Sequence, residues 1–297
     1  LSCIRFVELV HEAGLPVGWC QTCVCDNDVA EKLVTSNQIN FFSFIGSARV
    51  GWHLRSKLAP GTRCALEHGG AAPVILCDDA DVEAAVPLLV KGGYYHAGQV
   101  CVSVQRIFVD NRIKKRFTDA FVEAVSALEL GDPTDPKTEV GPLILPREVD
   151  RVGKWVEEAI GEGARALIGG RPEGDRLYLP TVLDGASTSA RVSTLEIFGP
   201  VTSLYGFDDM ERAIAQANAL PGAFQSAVFT QDMDRAFALA DRLDGSAVMI
   251  NDHTAFRVDW MPFAGLRQSG YGTGGIEYTM EDMTFEKMTV IRKAAYS

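Results

Sequence analysis

Short apolar stretches alternate with amphipathic ones along most of this chain, and this alternation restricts the folds that it can adopt. Strand-like stretches occupy residues 19–25, 41–45, 63–66, 74–76, 105–109, 201–205, 226–230 and 247–250. Stretches with helical periodicity occupy residues 1–13, 28–35, 48–59, 81–94, 114–128, 147–161, 210–219 and 233–243. Strands that alternate with helices favour parallel pairing, so the sequence predicts an α/β architecture with largely parallel sheets.

The charge balance limits the classes of partner. The 297 residues carry a formal net charge of −11, and no block of Lys and Arg interrupts this acidic composition. Nucleic acid and anionic membrane surfaces are therefore poor partners. No apolar run approaches the ~20 residues that cross a bilayer, so no membrane segment is predicted.

All seven cysteines lie at or before Cys101. An odd number with this uneven placement is not typical of a secreted disulfide scaffold, which predicts a reducing, cytoplasmic location. Cys20, Cys23 and Cys25 form a C-x-x-C-x-C cluster that could bind a metal. Because no second Cys or His pair follows at ligand spacing, we interpret residues 19–25 as a buried strand and predict no metal site.

Gly46 and Ser47 follow the apolar stretch at 41–45, and a predicted helix that contains Gly51 begins at once. A helix N-terminus offers free N–H groups and a positive dipole end, which suit a phosphate group. The turn matches neither G-x-G-x-x-G nor a Walker A loop, so an ordinary strand-to-helix turn is the alternative.

Glu67 ends a short apolar strand, directly before His68 and the pair Gly69-Gly70. A carboxylate beside two flexible glycines can face a cleft and take a proton from water. The alternative is a solvated loop glutamate, which is the usual environment of Glu.

Cys101 follows Gly98-Gln99 in a predicted loop between a helix and a strand. Reactive thiols need thiolate character and exposure, whereas structural cysteines are buried in regular elements. The loop position therefore predicts that Cys101 is the thiol that an alkylating agent labels first. A buried core cysteine is the alternative.

Together with three later motifs, these residues resemble the NAD(P)-dependent aldehyde dehydrogenase superfamily. The family pattern is a Gly-Ser turn, Glu-x-Gly-Gly, Gly-Gln-x-Cys, Glu-x-Phe-Gly-Pro, an Asn, and Pro-Phe-x-Gly-x-x-x-Ser-Gly. The matching residues are Gly46-Ser47, Glu67 to Gly70, Gly98 to Cys101, Glu196 to Pro200, Asn251, and Pro262 to Gly270. Six motifs in one order cover essentially the whole chain.

The resemblance implies that an aldehyde is oxidised to an acid through a covalent intermediate on Cys101, with Glu67 as the base that activates water. The cofactor would be NAD or NADP, of which NAD is the commoner. Glu196 would hydrogen-bond the nicotinamide ribose, and Phe198 would pack beside the ring. The cofactor-binding residues that it implies are Gly46, Ser47, Gly51, Glu196 and Phe198.

The resemblance also implies a division into three parts. Residues 1–69 would be the remainder of a Rossmann-like cofactor-binding domain, and residues 70–270 an α/β catalytic domain. The tail, residues 271–297, would carry an oligomerisation strand at 288–293 that pairs subunits into a homodimer or homotetramer.

The chain departs from the family pattern chiefly at its start. It begins at Leu1, inside a helical stretch and past the family's oxyanion-hole Asn and ribose-binding Lys, so we expect a missing segment and, with it, any targeting signal. Ala71 and Ala264 replace a frequent Lys and Gly. His68 stands where Leu is usual, and we assign it no role.

Other functions and the substrate remain open. A coenzyme A-acylating enzyme is one alternative, which Glu67 argues against because an activated water would waste the thioester. A non-catalytic fragment is another. The aldehyde itself is not identified. Arg257 could grip an anionic substrate group, but a surface pair with Asp259 or Asp252 is the preferred interpretation.

Overall fold

A computed structural model describes residues 1–293 of the chain. The helices, in chain order, are α1 (Ser2–Glu12), α2 (Asn27–Val34), α3 (Ala48–Arg55), α4 (Val82–Tyr94), α5 (Asn111–Ser126), α6 (Pro146–Gly161), α7 (Arg191–Thr194), α8 (Met210–Asn218), α9 (Met233–Ala240) and α10 (Ile276–Asp282). A 3-10 turn, Tyr95–Gly98, follows α4. Across residues 1–293, no helix is both long and apolar enough to cross a membrane.

Strands of very different lengths lie between these helices. In chain order they are β1 (Phe41–Ile45), β2 (Arg63–Glu67), β3 (Ala72–Leu76), β4 (Val104–Asp110), β5 (Arg165–Ile168), β6 (Pro172–Glu173), β7 (Leu177–Tyr178), β8 (Thr181–Asp184), β9 (Val201–Phe207), β10 (Gly222–Ala223), β11 (Gln225–Phe229), β12 (Ala247–Ile250), β13 (Leu266–Arg267) and β14 (Gly270–Tyr271). The predicted α/β architecture is confirmed.

By their internal contacts the residues divide into two compact units. The first unit consists of Leu1–Phe42 and Trp52–Arg63, and the second of Ser43–Gly51 together with the described residues from Cys64 onward. The division predicted at residues 69 and 270 is one of function rather than of contacts, and it stays a prediction.

A seven-stranded sheet forms the centre of the second unit, in the order β12-β11-β3-β4-β9-β8-β5. Neighbouring strands are parallel, except that β5 at one edge is antiparallel to β8. Every residue of β3, β4 and β11 is buried. Strands covered on both faces need apolar residues at consecutive positions, which explains the continuous runs Val74–Leu76 and Ile107–Val109.

Aspartates give several helices their starting points. The side chains of Asp81, Asp110, Asp209 and Asp232 each accept a hydrogen bond from a backbone N–H of the helix that follows. Such caps satisfy N–H groups that have no partner within the helix. The predicted starts of α8 and α9 agree with the structure for this reason. Helix α4 begins at Val82, one residue later than predicted, because Asp81 is its cap.

A small second sheet has β2 between β1 and β14. In it β14 runs antiparallel to β2, with Gly270 opposite Glu67 and Tyr271 opposite Leu66. The Ser269-Gly270 motif is therefore a strand that supports the end of β2, where Glu67 lies.

Three predicted elements were wrong. Residues 19–25 form no strand, and Cys23 and Cys25 are exposed rather than buried, because an apolar stretch becomes a strand only beside a partner and none of the described strands pairs with it. The second is the end of helix α3, which lies at Arg55 rather than at residue 59. Directly after Arg55, the hydroxyl of Ser56 donates to the carbonyl of His53.

The third is the tail strand at 288–293. Residues 284–293 have no strand in this single chain, and the side chains of Met288, Val290 and Ile291 are exposed. Subunit pairing through this segment stays a prediction, and residues 294–297 lie outside the described part.

Two tyrosines in the core of the second unit offer a matched test of what buried hydrogen bonds contribute. Tyr94 and Tyr178 are both 1% exposed. The Tyr94 hydroxyl donates to the carbonyl of Thr181 at 2.9 Å and lies 2.7 Å from the Thr202 hydroxyl, whereas the Tyr178 hydroxyl has no hydrogen-bond partner among the described residues.

We predict that Tyr94→Phe lowers the free energy of unfolding by about 1–3 kcal/mol, because the groups on Thr181 and Thr202 lose their partner. Tyr178→Phe should leave it unchanged or raise it, because the removed hydroxyl is buried without a hydrogen bond. Urea denaturation of both variants measures the difference. Equal losses would mean that burial and not hydrogen bonding decides the outcome.

Candidate active site

Each of three neighbouring strands of the large sheet is preceded in the chain by a segment that carries a predicted site residue. Glu67 precedes β3, Cys101 precedes β4, and Glu196 precedes β9. Because these strands are adjacent and parallel, their amino ends lie at the same edge of the sheet. The three predicted residues therefore come together within the second unit.

The Cys101 loop and the Glu196 loop contact each other backbone to backbone. Gly98 has a φ of +68°, and a Cβ built on it would lie 2.1 Å from the carbonyl oxygen of Gly199. A side chain at position 98 would therefore push the two loops apart. This contact explains the glycine at position 98, whereas a Cβ on Gly199 would instead lie 2.8 Å from the side chain of Val152.

Gln105, buried on β4, fixes the backbone on both sides of Glu196. Its side-chain amide donates to the carbonyls of Val192 at 2.9 Å and Leu195 at 2.7 Å, and its oxygen accepts from the N–H of Ile197 at 3.0 Å. Sequence reasoning missed this residue, although a glutamine inside an otherwise apolar strand was a usable signal.

The Glu196 side chain lies directly against the diglycine. A Cβ on Gly69 would be 1.6 Å from Glu196 Oε1, whereas a Cβ on Gly70 would make only ordinary contact with Ser269. Among residues 1–293, Oε1 is buried and has no hydrogen-bond partner. Burial raises the pKa of Glu196 to about 7, opposed by the positive charge of Arg151.

Phe198 extends from the same loop with a left-handed backbone, φ +46°, and its side chain is partly exposed. This conformation costs a non-glycine residue of order 1–2 kcal/mol. The residue shares a narrow crevice with Glu196, Gly98 and Val100. An apolar ring is thus held at the surface next to the Cys101 loop.

Cys101 is half-buried and packs against a small apolar cluster of Val102, Phe224, Ala255 and Phe263. Burial raises the pKa of its thiol to about 11, and the negative charges of the two neighbouring glutamates contribute to this. Its own backbone N–H and Arg257 act in the opposite direction.

A pKa of about 11 disfavours the thiolate at neutral pH, contrary to the thiolate character expected from the loop position. Cys3, Cys23 and Cys25 are exposed. Preferential alkylation of Cys101 at neutral pH is therefore no longer expected.

Glu67 is held through its backbone and packed through its side chain. Its carbonyl accepts from the N–H of Gly46 at 3.1 Å, and β14 pairs with it on the other side. A Cβ on Gly274 would lie 2.0 Å from Glu67 Oε1, so the carboxyl group rests against that glycine. Burial raises the pKa of Glu67, and the charge of Arg257 lowers it.

The Gly46–Ser47 turn is exposed and leads directly into α3, where the N–H groups of Val50 and Gly51 donate to the Ser47 carbonyl at 3.0 Å. A cavity of about 230 Å³ beside it has Ala48, Gly69 and Glu196 in its lining. Open N–H groups at the start of a helix and a buried carboxyl oxygen without a donor thus lie on either side of one cavity.

Arg257 forms no ion pair with Asp252 or Asp259, so the preferred surface-pair interpretation is wrong. Its guanidinium carbon lies 4.2 Å from the centre of the Phe263 ring. Stacking on an aromatic face uses the flat side of the guanidinium and leaves its N–H edges available. The charge is close enough to affect both Cys101 and Glu67.

Asn251, a member of the family pattern, lies at the opposite edge of the sheet. It follows β12, and its side-chain amide bonds both the N–H and the carbonyl of Thr230. Its contacts are structural. Ser269, whose hydroxyl donates to the carbonyl of Gly69 at 2.9 Å, belongs to the site as a support.

Known proteins of one family resemble this chain over almost its whole length. A family model described as "Aldehyde dehydrogenase family" matches residues 1–289. This chain belongs to the aldehyde dehydrogenase family.

Individual aldehyde dehydrogenases share about a third of the sequence. The 3-sulfolactaldehyde dehydrogenase of Priestia aryabhattai is 37% identical over 292 residues, which are 98% of this chain and 61% of that protein. The NADP complex of glyceraldehyde-3-phosphate dehydrogenase GapN from Methanocaldococcus jannaschii is 37% identical with a TM-score of 0.91, over 95% of this chain and 62% of that one.

A further solved structure holds the other cofactor. Betaine aldehyde dehydrogenase from Staphylococcus aureus, in complex with NAD+, is 34% identical with a TM-score of 0.90. The alignment covers 95% of this chain and 57% of that one. Solved relatives thus bind NADP or NAD+, and the chain spans about three-fifths of the length of the relatives it matches.

We predict that the charges around Cys101 control its alkylation by iodoacetamide. Glu196→Gln should lower the pKa of the thiol, because it removes a negative charge, and Arg257→Ala should raise it. The rate of modification of the tryptic peptide 92–106, which contains Cys101 as its one cysteine, is measured between about pH 7 and about pH 10.

Glu173→Gln, at an exposed position on β6, is the control and should leave the profile unchanged. Profiles that coincide for all three variants would show that Glu196 and Arg257 do not act on the thiol.

Proposed function

We propose that the chain carries the catalytic residues of an NAD(P)-dependent aldehyde dehydrogenase that works through a thioester on Cys101. One observation carries the proposal: the adjacent parallel strands β3, β4 and β9 bring Glu67, Cys101 and Glu196 to the same edge of the sheet. The charges of both glutamates and of Arg257 act on the pKa of the Cys101 thiol, in agreement with this placement. The aldehyde dehydrogenase family match over residues 1–289 supports the proposal.

The residues around the cavity are suited to a dinucleotide. Glu196 Oε1 is buried without a hydrogen-bond donor, and a ribose hydroxyl is a group that could supply one. The Gly46–Ser47 turn would hold phosphate at the start of α3. When bound, NAD(P)+ brings a positively charged ring that accepts the hydride. The choice between NAD and NADP stays open, with NAD the default.

In the first half of the reaction Cys101 releases its proton to solvent, and its sulfur attacks the aldehyde carbon, so that a C–S bond forms as the C=O π bond breaks. The carbonyl oxygen takes the negative charge, which the backbone N–H of Cys101 would stabilise; one such donor is commonly worth about 10²–10³ in rate. Hydride then leaves that carbon and a thioester remains. The positive charge of Arg257 favours the thiolate against the two glutamates.

In the second half Glu67 acts as the general base. Its carboxylate takes a proton from water, the oxygen attacks the thioester carbon, and the C–S bond breaks to release the acid and the thiolate. The pKa of Glu67, raised by burial, makes it a better base than an exposed carboxylate. Gly274 leaves the space that the Glu67 carboxyl group occupies.

We predict that Glu67→Gln accumulates an acyl group on Cys101. When the variant is incubated with NADP+ or NAD+ and an aldehyde, formation of the thioester should outpace its hydrolysis, so a burst of reduced cofactor precedes slow turnover. Intact mass and the mass of peptide 92–106 detect the adduct directly. Glu277→Gln, exposed on α10, should turn over as the unaltered chain does. An unmodified Cys101 in the Glu67 variant, together with normal turnover, would remove Glu67 from the mechanism.

The substrate proposed is a short aldehyde that carries an anionic group. Arg257 is exposed, unpaired by a carboxylate among the described residues, and near enough to Cys101 to influence its pKa. Two relatives are named for aldehydes with a sulfonate or a phosphate, whereas betaine aldehyde in the third is a cation. A guanidinium stacked on Phe263 would attract the first two and repel the last.

We predict that Arg257→Ala selectively lowers kcat/KM for an anionic aldehyde, by roughly 10²-fold relative to a neutral aldehyde of equal size. With a net charge of −11 the protein has no long-range attraction for anions, so the local cation must supply it. Arg257→Lys should retain part of the preference. Arg267→Ala, which removes an exposed pair with Asp244, is the control. Equal losses for both aldehydes would leave Arg257 with a structural role.

A further inference from the structure

His68 directly follows Glu67, yet its side chain points away from solvent and is not part of the chemistry described above. The residue is 1% exposed. Its backbone N–H donates to the carbonyl of Ser269 at 2.9 Å, which anchors it to the strand β14 region. The direction of the imidazole is therefore fixed by its surroundings and not by solvent.

The imidazole bonds the carbonyl of Gly46, the residue that begins the phosphate-type turn. The distance from His68 Nδ1 to the Gly46 oxygen is 2.9 Å. A carbonyl oxygen only accepts, so Nδ1 carries the proton in this bond. Burial lowers the pKa of His68, and its hydrogen bond to Gly46 opposes this shift without cancelling it.

Gly46 is thereby held at both of its backbone groups by two consecutive residues. Its N–H donates to the carbonyl of Glu67 at 3.1 Å, and its own carbonyl accepts from His68. Glu67, the proposed base, and His68 thus together fix the position of the Gly46–Ser47 turn.

The shape of the surroundings fits an imidazole at this point. A Cβ on Gly51 would lie 2.0 Å from His68 Cε1, so the ring occupies the space that a side chain in the first turn of α3 would need. The Phe44 ring meets it edge-on, with centroids 5.9 Å apart. Gly51, implied above as a cofactor-binding residue, serves this packing.

We propose that His68 is a positioning residue for the cofactor site, holding the Gly46–Ser47 turn at a fixed position relative to Glu67. The part of this inference that concerns the cofactor rests on the proposed function. A leucine at position 68, the usual residue of the family pattern, has no donor for the Gly46 carbonyl, so this chain fixes its turn through a hydrogen bond that such a residue cannot make.

The test compares His68→Leu, His68→Asn and Gly51→Ala by hydrogen exchange. The Asn amide nitrogen stands as many bonds from the backbone as Nδ1, so it can still donate to Gly46. Exchange at the amides of Gly46, Val50 and Gly51 should rise roughly 2- to 10-fold in His68→Leu, stay near that of the unaltered chain in His68→Asn, and rise in Gly51→Ala, where the ring is displaced.

His253→Leu is the matched control, because His253 is a second buried histidine of the same unit and makes no bond to the turn. It should leave these amides unchanged. Unaltered exchange at the turn in His68→Leu would overturn the inference. An equal rise in helix α6, which lies elsewhere in the second unit, would also overturn it, since the effect would then be a general loss of stability.

The affinity for NADP+ and NAD+ separates the two proposals. His68→Leu should raise the dissociation constant by a factor similar to the rise in the amide exchange rate. His68→Asn should bring the dissociation constant back to that of the unaltered chain. If exchange changes while affinity does not, His68 orders the turn but does not serve the cofactor, and the inference fails in that part. If the unaltered chain binds neither dinucleotide, the proposed function fails, and the exchange data still decide whether His68 holds the turn.

Discussion

The candidate site depends on one constraint, the adjacency of β3, β4 and β9 in the parallel sheet. The segments that precede these strands hold Glu67, Cys101 and Glu196, and neighbouring strands lie only about 4.8 Å apart. One additional strand between any two of β3, β4 and β9 would move their site residues about 4.8 Å farther apart. Gln105 makes the arrangement rigid, because one amide side chain on β4 bonds the loop before β9 through three backbone groups. The close contact between Gly98 and Gly199 brings the loop before β4 directly against the loop before β9.

Placing two carboxyl groups and a thiol in one half-buried site has an energetic cost. The ordinary pKa of Glu196 is 4.5, and in the folded protein it is about 7. The folded state therefore binds this proton more tightly than the unfolded state does. Whatever stability the protonated group gives is fully present below pH 4.5 and is lost as the pH rises through about 7. A carboxylate kept charged there is thus maintained at the expense of the fold, as functional sites often are.

Much of the second unit could be predicted because local chemistry decides it. Asp caps set the starts of helices, and continuous apolar runs mark the buried strands β3, β4 and β11. The motif order identified Cys101, Glu67 and Glu196, and adjacent parallel strands bring them together. What failed needed partners that sequence does not display: residues 19–25 have no neighbouring strand, and the pKa of Cys101 depends on glutamates distant in sequence. Arg257 has two aspartates close in sequence but stacks on Phe263 instead. Gln105 and His68 work through contacts with residues 90 and 22 positions away, respectively, which no local pattern reveals.

The raised pKa of Cys101 has a consequence for the lifetime of the protein. Peroxides and metabolic electrophiles attack the thiolate, and oxidation beyond the sulfenic acid is largely irreversible. A Cys101 thiol that stays protonated is therefore oxidised slowly, although it is only half-buried. Burial, together with the charges of Glu196 and Glu67, thus protects this thiol from oxidative damage.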